Sequence, residues 1–216
     1  MIKLDNFAVY NFENAIRGMR NPLNSWEKSD SYSTHIENPE TNNTAVFQFV
    51  IGEEDLRLAQ SLVRAGSDHR KFLRQIFVSV DITAPLYWGK EYDTYKVGTV
   101  ANSCSTMHTV HKKPFVLDDF SHERMTPFAE EHLEETITIL NAHRKMYNDT
   151  GNKDFWDSMI QLLPSSYNQM RTCTLNYENI LNIYFSRKNH KLAEWRSFCD
   201  WVLNLPLFAA FIGEKS

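Results

Sequence analysis

The chain has 216 residues, of which 42% are hydrophobic and 13% aromatic, a globular balance that excludes wholesale disorder and allows one substantial domain. Its 23 basic and 27 acidic residues leave a net charge of −4, with no basic block of the kind that grips a nucleic-acid duplex. Three scattered cysteines (Cys104, Cys173, Cys199) form no C-x-x-C pair, the N-terminus carries no apolar signal core, and the longest apolar stretch, near Leu205–Ile212, is too short for a bilayer, so a cytoplasmic protein without a membrane partner is expected.

Residues 1–44 are rich in Asn, Ser and Glu, and Asn21-Pro22, Asn38-Pro39 and Asn42-Asn43 read as turns. Ala45 to Ile51 reads as a strand bounded by Gly52. Glu53 to Ala65 reads as a helix with Leu56, Ala59, Leu62 and Val63 inward; Glu53-Glu54-Asp55 complement its dipole and Gly66 ends it. Ile76 to Ile82 alternates as a second strand, and a helix begins near Ala84-Pro85. Residues 90–111 are mixed and polar and suit a loop-bearing site. Thr126-Pro127 opens a long helix to about Asn148, with Phe128, Thr136, Ile139, Leu140, His143 and Tyr147 near one face and Gly151 past its end. Asp154 is expected to cap a short helix through Leu163, and Ser165 to Arg171 reads as a polar turn. Helices near 176–187 and 190–204 complete the chain, the last with Leu192, Trp195, Phe198, Trp201 and Val202 inward. The pattern predicts a single α+β domain over 1–216, an antiparallel sheet with segregated helices.

Two segments carry residues suited to chemistry. In Asn176 to Arg187, Tyr177, Ile180, Leu181 and Tyr184 recur at the spacing of a buried helix face. Asn176 can cap that helix, and Arg187 suits the negative end of its dipole. The same Arg187 could grip a phosphate through two parallel hydrogen bonds; spacing alone favours the alternative, an ordinary helix with an Asn cap and an Arg near its C-terminus. In Lys90 to His108, Tyr92 and Tyr95 could stack on a base or a flavin ring, Lys96 could meet a phosphate, and Ser103, Ser105 and Thr106 could hydrogen-bond one; a helix running into a polar loop is the alternative. His108, His111, His122 and Glu123 are metal-ligating types, but Pro114 and the Thr/Val run argue against the helix that would gather them, so no metal is expected.

The run Leu163-Pro-Ser-Ser-Tyr-Asn-Gln-Met-Arg-Thr-Cys-Thr-Leu-Asn176, then Asn182, then Arg187, resembles the C-terminal active-site segment of flavin-dependent thymidylate synthases. It matches the family's Leu-Pro, the Thr two before the Asn, both asparagines and the arginine. Glu53 to Pro85 is similar as well: a helix, a Gly-containing loop, an alternating strand and Ala84-Pro85. Three sites depart from the family. Its Arg-His-Arg-x-x-Ser slot reads Thr94-Tyr-Lys-Val-Gly-Thr99, keeping chemical likeness only at Lys96 and Thr99. Its Asn-Glu-x-Ser-x-Arg becomes Ala101-Asn-Ser-Cys-Ser-Thr106, and its Asn-x-Arg becomes Asn176-Tyr-Glu178, a charge reversal.

The resemblance implies the family's fold and a homo-oligomer, tetramer favoured, with sites shared between subunits. It implies a small-molecule nucleotide, a deoxyuridine monophosphate, near Arg187, Lys96, Ser103, Ser105, Gln169 and Arg171. It implies FAD near Asn176, Asn182, Thr99 and Tyr95, held weakly because a lysine cannot reproduce an arginine fork, and a folate one-carbon donor for transfer to pyrimidine C5. Cys104 falls in a family serine slot, and flavin chemistry needs no cysteine nucleophile. Loss of the guanidinium contacts sets a second reading beside the enzyme: a protein that keeps the fold and sequesters a nucleotide without catalysis.

Overall fold

The computed structural model describes residues 2–37 and 45–214; the expected turns at Asn38-Pro39 and Asn42-Asn43 lie outside them. The strands are β1 (Lys3–Tyr10), β2 (Tyr32–Glu37), β3 (Ala45–Val50), β4 (Phe77–Pro85), β5 (Val100–Ser103) and β6 (Asn168–Asn176). A four-stranded sheet runs in the order β1-β4-β6-β5, and β2 and β3 form a separate antiparallel pair. Every pairing in the larger sheet is antiparallel, with β4 and β6 in register from Phe77 opposite Asn176 to Pro85 opposite Asn168. The expected α+β class is therefore observed.

Alternation makes β4 a wall of the core: Val78, Val80, Ile82 and Ala84 are buried, while Ser79, Asp81 and Thr83 point the other way. Asp81 on that outer face accepts bonds from Asn6 (3.0 Å) and Thr172 (2.6 Å), tying β1, β4 and β6 together. The two strands expected from sequence, β3 and β4, lie in different sheets. The expected polar turn over Ser165–Arg171 is a turn only to Tyr167; from Asn168 the chain is β6. Its outward Thr172 and Thr174 are exposed and its inward Gln169 and Arg171 are polar, so no apolar alternation marks the strand, and pairing with β4 decides its state.

The helices are α1 (Phe12–Met19), α2 (Glu53–Ala65), α3 (Leu86–Tyr92), α4 (Thr106–Thr109), α5 (Pro127–Thr150), α6 (Lys153–Leu162), α7 (Tyr177–Arg187), α8 (Ala193–Leu203) and α9 (Phe208–Ile212). Helix α2 keeps its expected bounds, with Ala59 buried and Leu56, Leu62 and Val63 half-buried against the core. Its acidic opening is more than a dipole complement. Asp55 is fully buried, 2.5 Å from the Arg20 Nε, and also accepts from the Ser29 and Ser31 hydroxyls. Asp30 caps α2 from outside by accepting the Glu54 and Asp55 N–H groups, and a Cβ on Gly52 would fall 2.0 Å from its carboxyl carbon.

The main core packs α3, α7, α8 and α9 against the inner sheet face. Trp88 of α3 lies 4.7 Å from Trp195 and 5.1 Å from Tyr92, ring centre to ring centre. A second cluster gathers Val110, Phe115 and Phe120 with Leu133, Ile137 and Leu140 of α5 and Met159 of α6. The buried stripe of α5 thus differs from the expected one: Phe128 and Ile139 are exposed, because Leu133, Ile137 and Leu140 supply the i, i+4, i+7 face that packs. Helix α6 is capped by Asn152, which accepts the Asp154 N–H, rather than by Asp154.

Candidate functional site

The C-terminal end of α3, the loop 93–99 and helix α7 with its β6 junction meet. Helix α7 begins where expected, and Asn176 caps it with a reciprocal pair: its side-chain oxygen accepts the Asn179 N–H at 3.0 Å, and the Asn179 oxygen accepts its own N–H at 3.1 Å. Asn179 also donates to the Val97 carbonyl at 2.6 Å. Gly98 sits at φ 75°, and a Cβ there would come within 2.9 Å of the Asn176 amide nitrogen. The loop can press onto the start of α7 only because that residue is glycine.

Arg187, in the last turn of α7, reaches to α3. Its Nη1 donates to Glu91 Oε2 and its Nε to the Tyr95 hydroxyl, both at 2.9 Å. Its guanidinium carbon lies 4.9 Å from the Trp195 ring centre and 5.7 Å from that of Tyr95. Trp195 Nε1 donates to the same Glu91 oxygen at 2.8 Å, and His190 Nε2 stands 3.6 Å from it. Arg187 keeps 21% of its side chain exposed, and its Nη2 has no hydrogen-bond partner among the described residues. Thr99 donates its hydroxyl to the Tyr95 carbonyl, closing the loop on itself.

Arg171 forms an adjoining patch. Its Nη1 donates to Asp93 at 2.7 Å and its Nε to Gln169 at 3.1 Å; Gln169 in turn donates to the Cys104 carbonyl at 2.7 Å. Gly89 makes room for it, since a Cβ there would meet the guanidinium at 3.0 Å. Ser103 lies opposite Arg171 on the exposed edge strand β5. Ser105 caps α4 by accepting the His108 N–H at 3.3 Å. Lys96 is exposed and has no ion-pair partner among the described residues.

Tyr95, Thr99, Asn176 and Arg187 therefore come together, with Arg171, Gln169 and Ser103 alongside. Asn182 does not join them. It points from the opposite face of α7 and accepts from Arg70 Nη2 at 3.1 Å. Glu178, the charge-reversed position, shares that face and is ion-paired with Arg70 and Arg74. Burial alone would raise the Glu178 carboxyl, but hydrogen bonds from Arg74 and then Arg70 outweigh it and hold it below the usual range. Sequence reasoning missed this cluster, because Arg70 and Arg74 lie 108 and 104 residues from Glu178 in sequence. Tyr92, expected to stack on a ligand, is buried at 2% exposure.

The site shows few groups ready for a flavin. The side-chain oxygens of Asn176 and Asn182 and the Thr99 hydroxyl are engaged within the protein. Lys96, the Asn176 amide NH2 group and the Arg187 Nη2 remain. These fit a weakly held anionic cofactor rather than an enclosed one. Among the described residues, no group of three or more His, Cys, Asp or Glu could hold a metal ion, and no helix is long and apolar enough to cross a membrane. A cleft of about 840 Å³ lies elsewhere, lined by Tyr87, Arg124, Ser165, Ser166 and Glu194 among others.

No protein-family model matches the chain, and no curated protein matches it in sequence. Its fold does match solved structures. A flavin-dependent thymidylate synthase ThyX from Helicobacter pylori complexed with FAD and dUMP superposes with a TM-score of 0.66 at 15% identity, covering 98% of this chain and 96% of that one. A second structure of Helicobacter pylori ThyX, also with FAD and dUMP, gives 0.66 and 15% over 98% and 95% of the two chains. The chain shares the thymidylate synthase ThyX fold over almost its whole length.

Proposed function

We propose that this protein binds a pyrimidine deoxynucleoside monophosphate beside Arg187, holds FAD weakly near Tyr95, Thr99 and Asn176, and acts as a nucleotide-binding or nucleotide-sequestering protein on the ThyX fold. The observation that carries the reading is Arg187 itself. Its fork is oriented by Tyr95, Trp195 and Glu91, while one nitrogen stays free at a partly exposed position. A guanidinium held in this way offers a directed contact to a nucleotide with little ordering cost. Arg171, Gln169, Lys96, Ser103 and Ser105 extend the polar surface around it. The Helicobacter pylori proteins of the same fold are seen with FAD and dUMP, which supports both ligand classes here.

Binding is favoured over catalysis because each arginine of the site carries a carboxylate. Glu91 pairs with Arg187 and Asp93 with Arg171. A catalytic site gains most from donors already aimed at the developing charge; here a carboxylate already neutralises each guanidinium. The other reading, transfer of a one-carbon unit from a folate donor to pyrimidine C5, is favoured by the near-complete overlap with known enzymes of this fold. A symmetric homo-oligomer, tetramer favoured, accompanies either reading.

Mass spectrometry of small molecules released from the purified protein tests the proposal. A deoxyuridine monophosphate or a near relative, with substoichiometric flavin, is expected. Stoichiometric FAD surviving dialysis, together with thymidylate formation from dUMP, would replace the binder by the enzyme. Release of no nucleotide, and no calorimetric response to added dUMP, would overturn both.

A further inference from the structure

Among the described residues, three acids are buried: Asp55, Glu178 and Glu194. Asp55 is ion-paired with Arg20, and Glu178 with Arg70 and Arg74. Glu194, 8% exposed, has no cation within ion-pair distance among the described residues. Its carboxylate accepts the Tyr87 hydroxyl at 2.5 Å, which adds a hydrogen bond but no countercharge. A carboxylate taken out of water is ordinarily paired. The dipole of α8, whose first turn holds Glu194, favours an acid there but does not call for its burial. Glu53 and Glu54 stand in the first turn of α2 from exposed positions.

Glu194 lies in the wall of the cleft of about 840 Å³, between the start of α3, residues 121–125, the turn at 164–166 and the start of α8. Backbone bonds fix this frame: the Tyr87 N–H donates to the Ser165 carbonyl at 3.0 Å, and the Ser121 N–H to the Ser166 carbonyl at 2.8 Å. Ser166 lines the same cleft at 7% exposure, and its hydroxyl is buried with no hydrogen-bond partner among the described residues. Ile2, Met125, Pro164 and Leu192 supply apolar wall. Charge is divided by depth. Glu194 is the buried charge of the lining, whereas Glu123, Arg124 and Lys191 are exposed. Arg124 and Lys191 have no ion pair among the described residues, so two cations and one acid form the rim.

We infer that this cleft binds a small zwitterion, with a primary amine on Glu194, a carboxylate at Arg124 and Lys191, and an apolar chain between them. The ammonium supplies the countercharge that Glu194 lacks and donates to the buried Ser166 hydroxyl. The chain covers Met125, Pro164 and Leu192. The cleft volume falls within the roughly 300–1,000 Å³ of small-molecule sites. A plain anion would meet the Glu194 carboxylate, and a plain amine would leave the basic rim unmatched. The cleft shares no lining residue with the nucleotide site, and the inference stands without it.

Calorimetric titration of the full chain with ε-aminocaproic acid, hexylamine and hexanoate tests the assignment. Native protein is expected to bind ε-aminocaproic acid at millimolar concentration, hexylamine more weakly, and hexanoate not measurably. Glu194→Gln keeps an acceptor for Tyr87; it should weaken both amines by about tenfold or more while the melting temperature changes little. Arg124→Ala combined with Lys191→Ala alters only exposed positions of the cleft. It should bring ε-aminocaproic acid down to the level of hexylamine and leave hexylamine unchanged. A Glu194 that serves only the α8 dipole predicts a lowered melting temperature in Glu194→Gln with amine affinity unmoved, and that result would overturn the inference. So would native protein that binds neither amine, or that binds hexanoate as tightly as ε-aminocaproic acid.

Discussion

Arg187 and Glu91, ninety-six residues apart in sequence, are joined by an ion pair of 2.9 Å whose carboxylate oxygen also accepts the Trp195 indole N–H at 2.8 Å. The pair fixes the guanidinium and at the same time sets a negative charge where a phosphate or uracil carbonyl would approach. Glu91 is therefore expected to lower the affinity of the site that it orders.

Glu91→Gln should tighten binding of dUMP by about tenfold, roughly 1.4 kcal/mol. The amide oxygen can still accept from Trp195, so the melting temperature should change little. Titration calorimetry on native and substituted protein checks this. An unchanged affinity would place the nucleotide away from Arg187.

On the far face of α7, Glu178→Ala should cost about 2 kcal/mol of stability, the scale of hydrogen bonds to a charged group, because Arg70 and Arg74 lose their shared carboxylate. Since Glu178 and Asn182 face away from Arg187, nucleotide affinity should not move. Urea denaturation and the same titration separate the two effects; a lost affinity with unchanged stability would return Asn182 to the ligand site.

What the sequence disclosed, and what it hid, follows from how far each interaction reaches. The helix at 53–65, the alternation of 76–82 and the Asn176 cap are local patterns and were legible. Strand β1 was not, because its alternation is broken by a register shift between Asp5 and Ala8 around Asn6, at φ 49°. Strand β6 was hidden because its inward Gln169 and Arg171 are polar and break the alternation. Asn176 was legible as a helix cap and Arg187 as a cation near the end of the same helix. Glu91, Asp93, Arg70 and Arg74 were not, since only the fold brings them to Arg187, Arg171 and Glu178.

Asp55 gives a pH-dependent prediction. Burial pushes its carboxyl upward, but the Ser31 and Ser29 hydroxyls and Arg20 outweigh that and hold it below the usual carboxylate value. The folded value thus lies below the unfolded one. The contribution is complete above the unfolded value and is lost as pH falls through the folded one. Asp55→Ala, which strands Arg20 at 4% exposure, should cost about 3–5 kcal/mol at neutral pH. In acid melts the gap between native and variant protein should narrow; a constant gap down to low pH would contradict the assignment.

The cysteines should divide sharply by reactivity. Cys104 is exposed, whereas Cys173 and Cys199 are buried. Burial raises the Cys173 thiol, and burial, followed by the nearby Asp200, pushes Cys199 up to about 12. A thiol reagent at neutral pH should modify one cysteine in native protein and three after denaturation, as counted by intact mass.

The most direct test of nucleotide binding is calorimetric titration of dUMP into native protein and into Arg187→Lys. The lysine keeps the charge and removes the fork. Saturable binding by the native chain, weakened at least tenfold in the variant while the fold survives by circular dichroism, is the expected result. No binding by the native chain, or equal binding by both, would contradict the account.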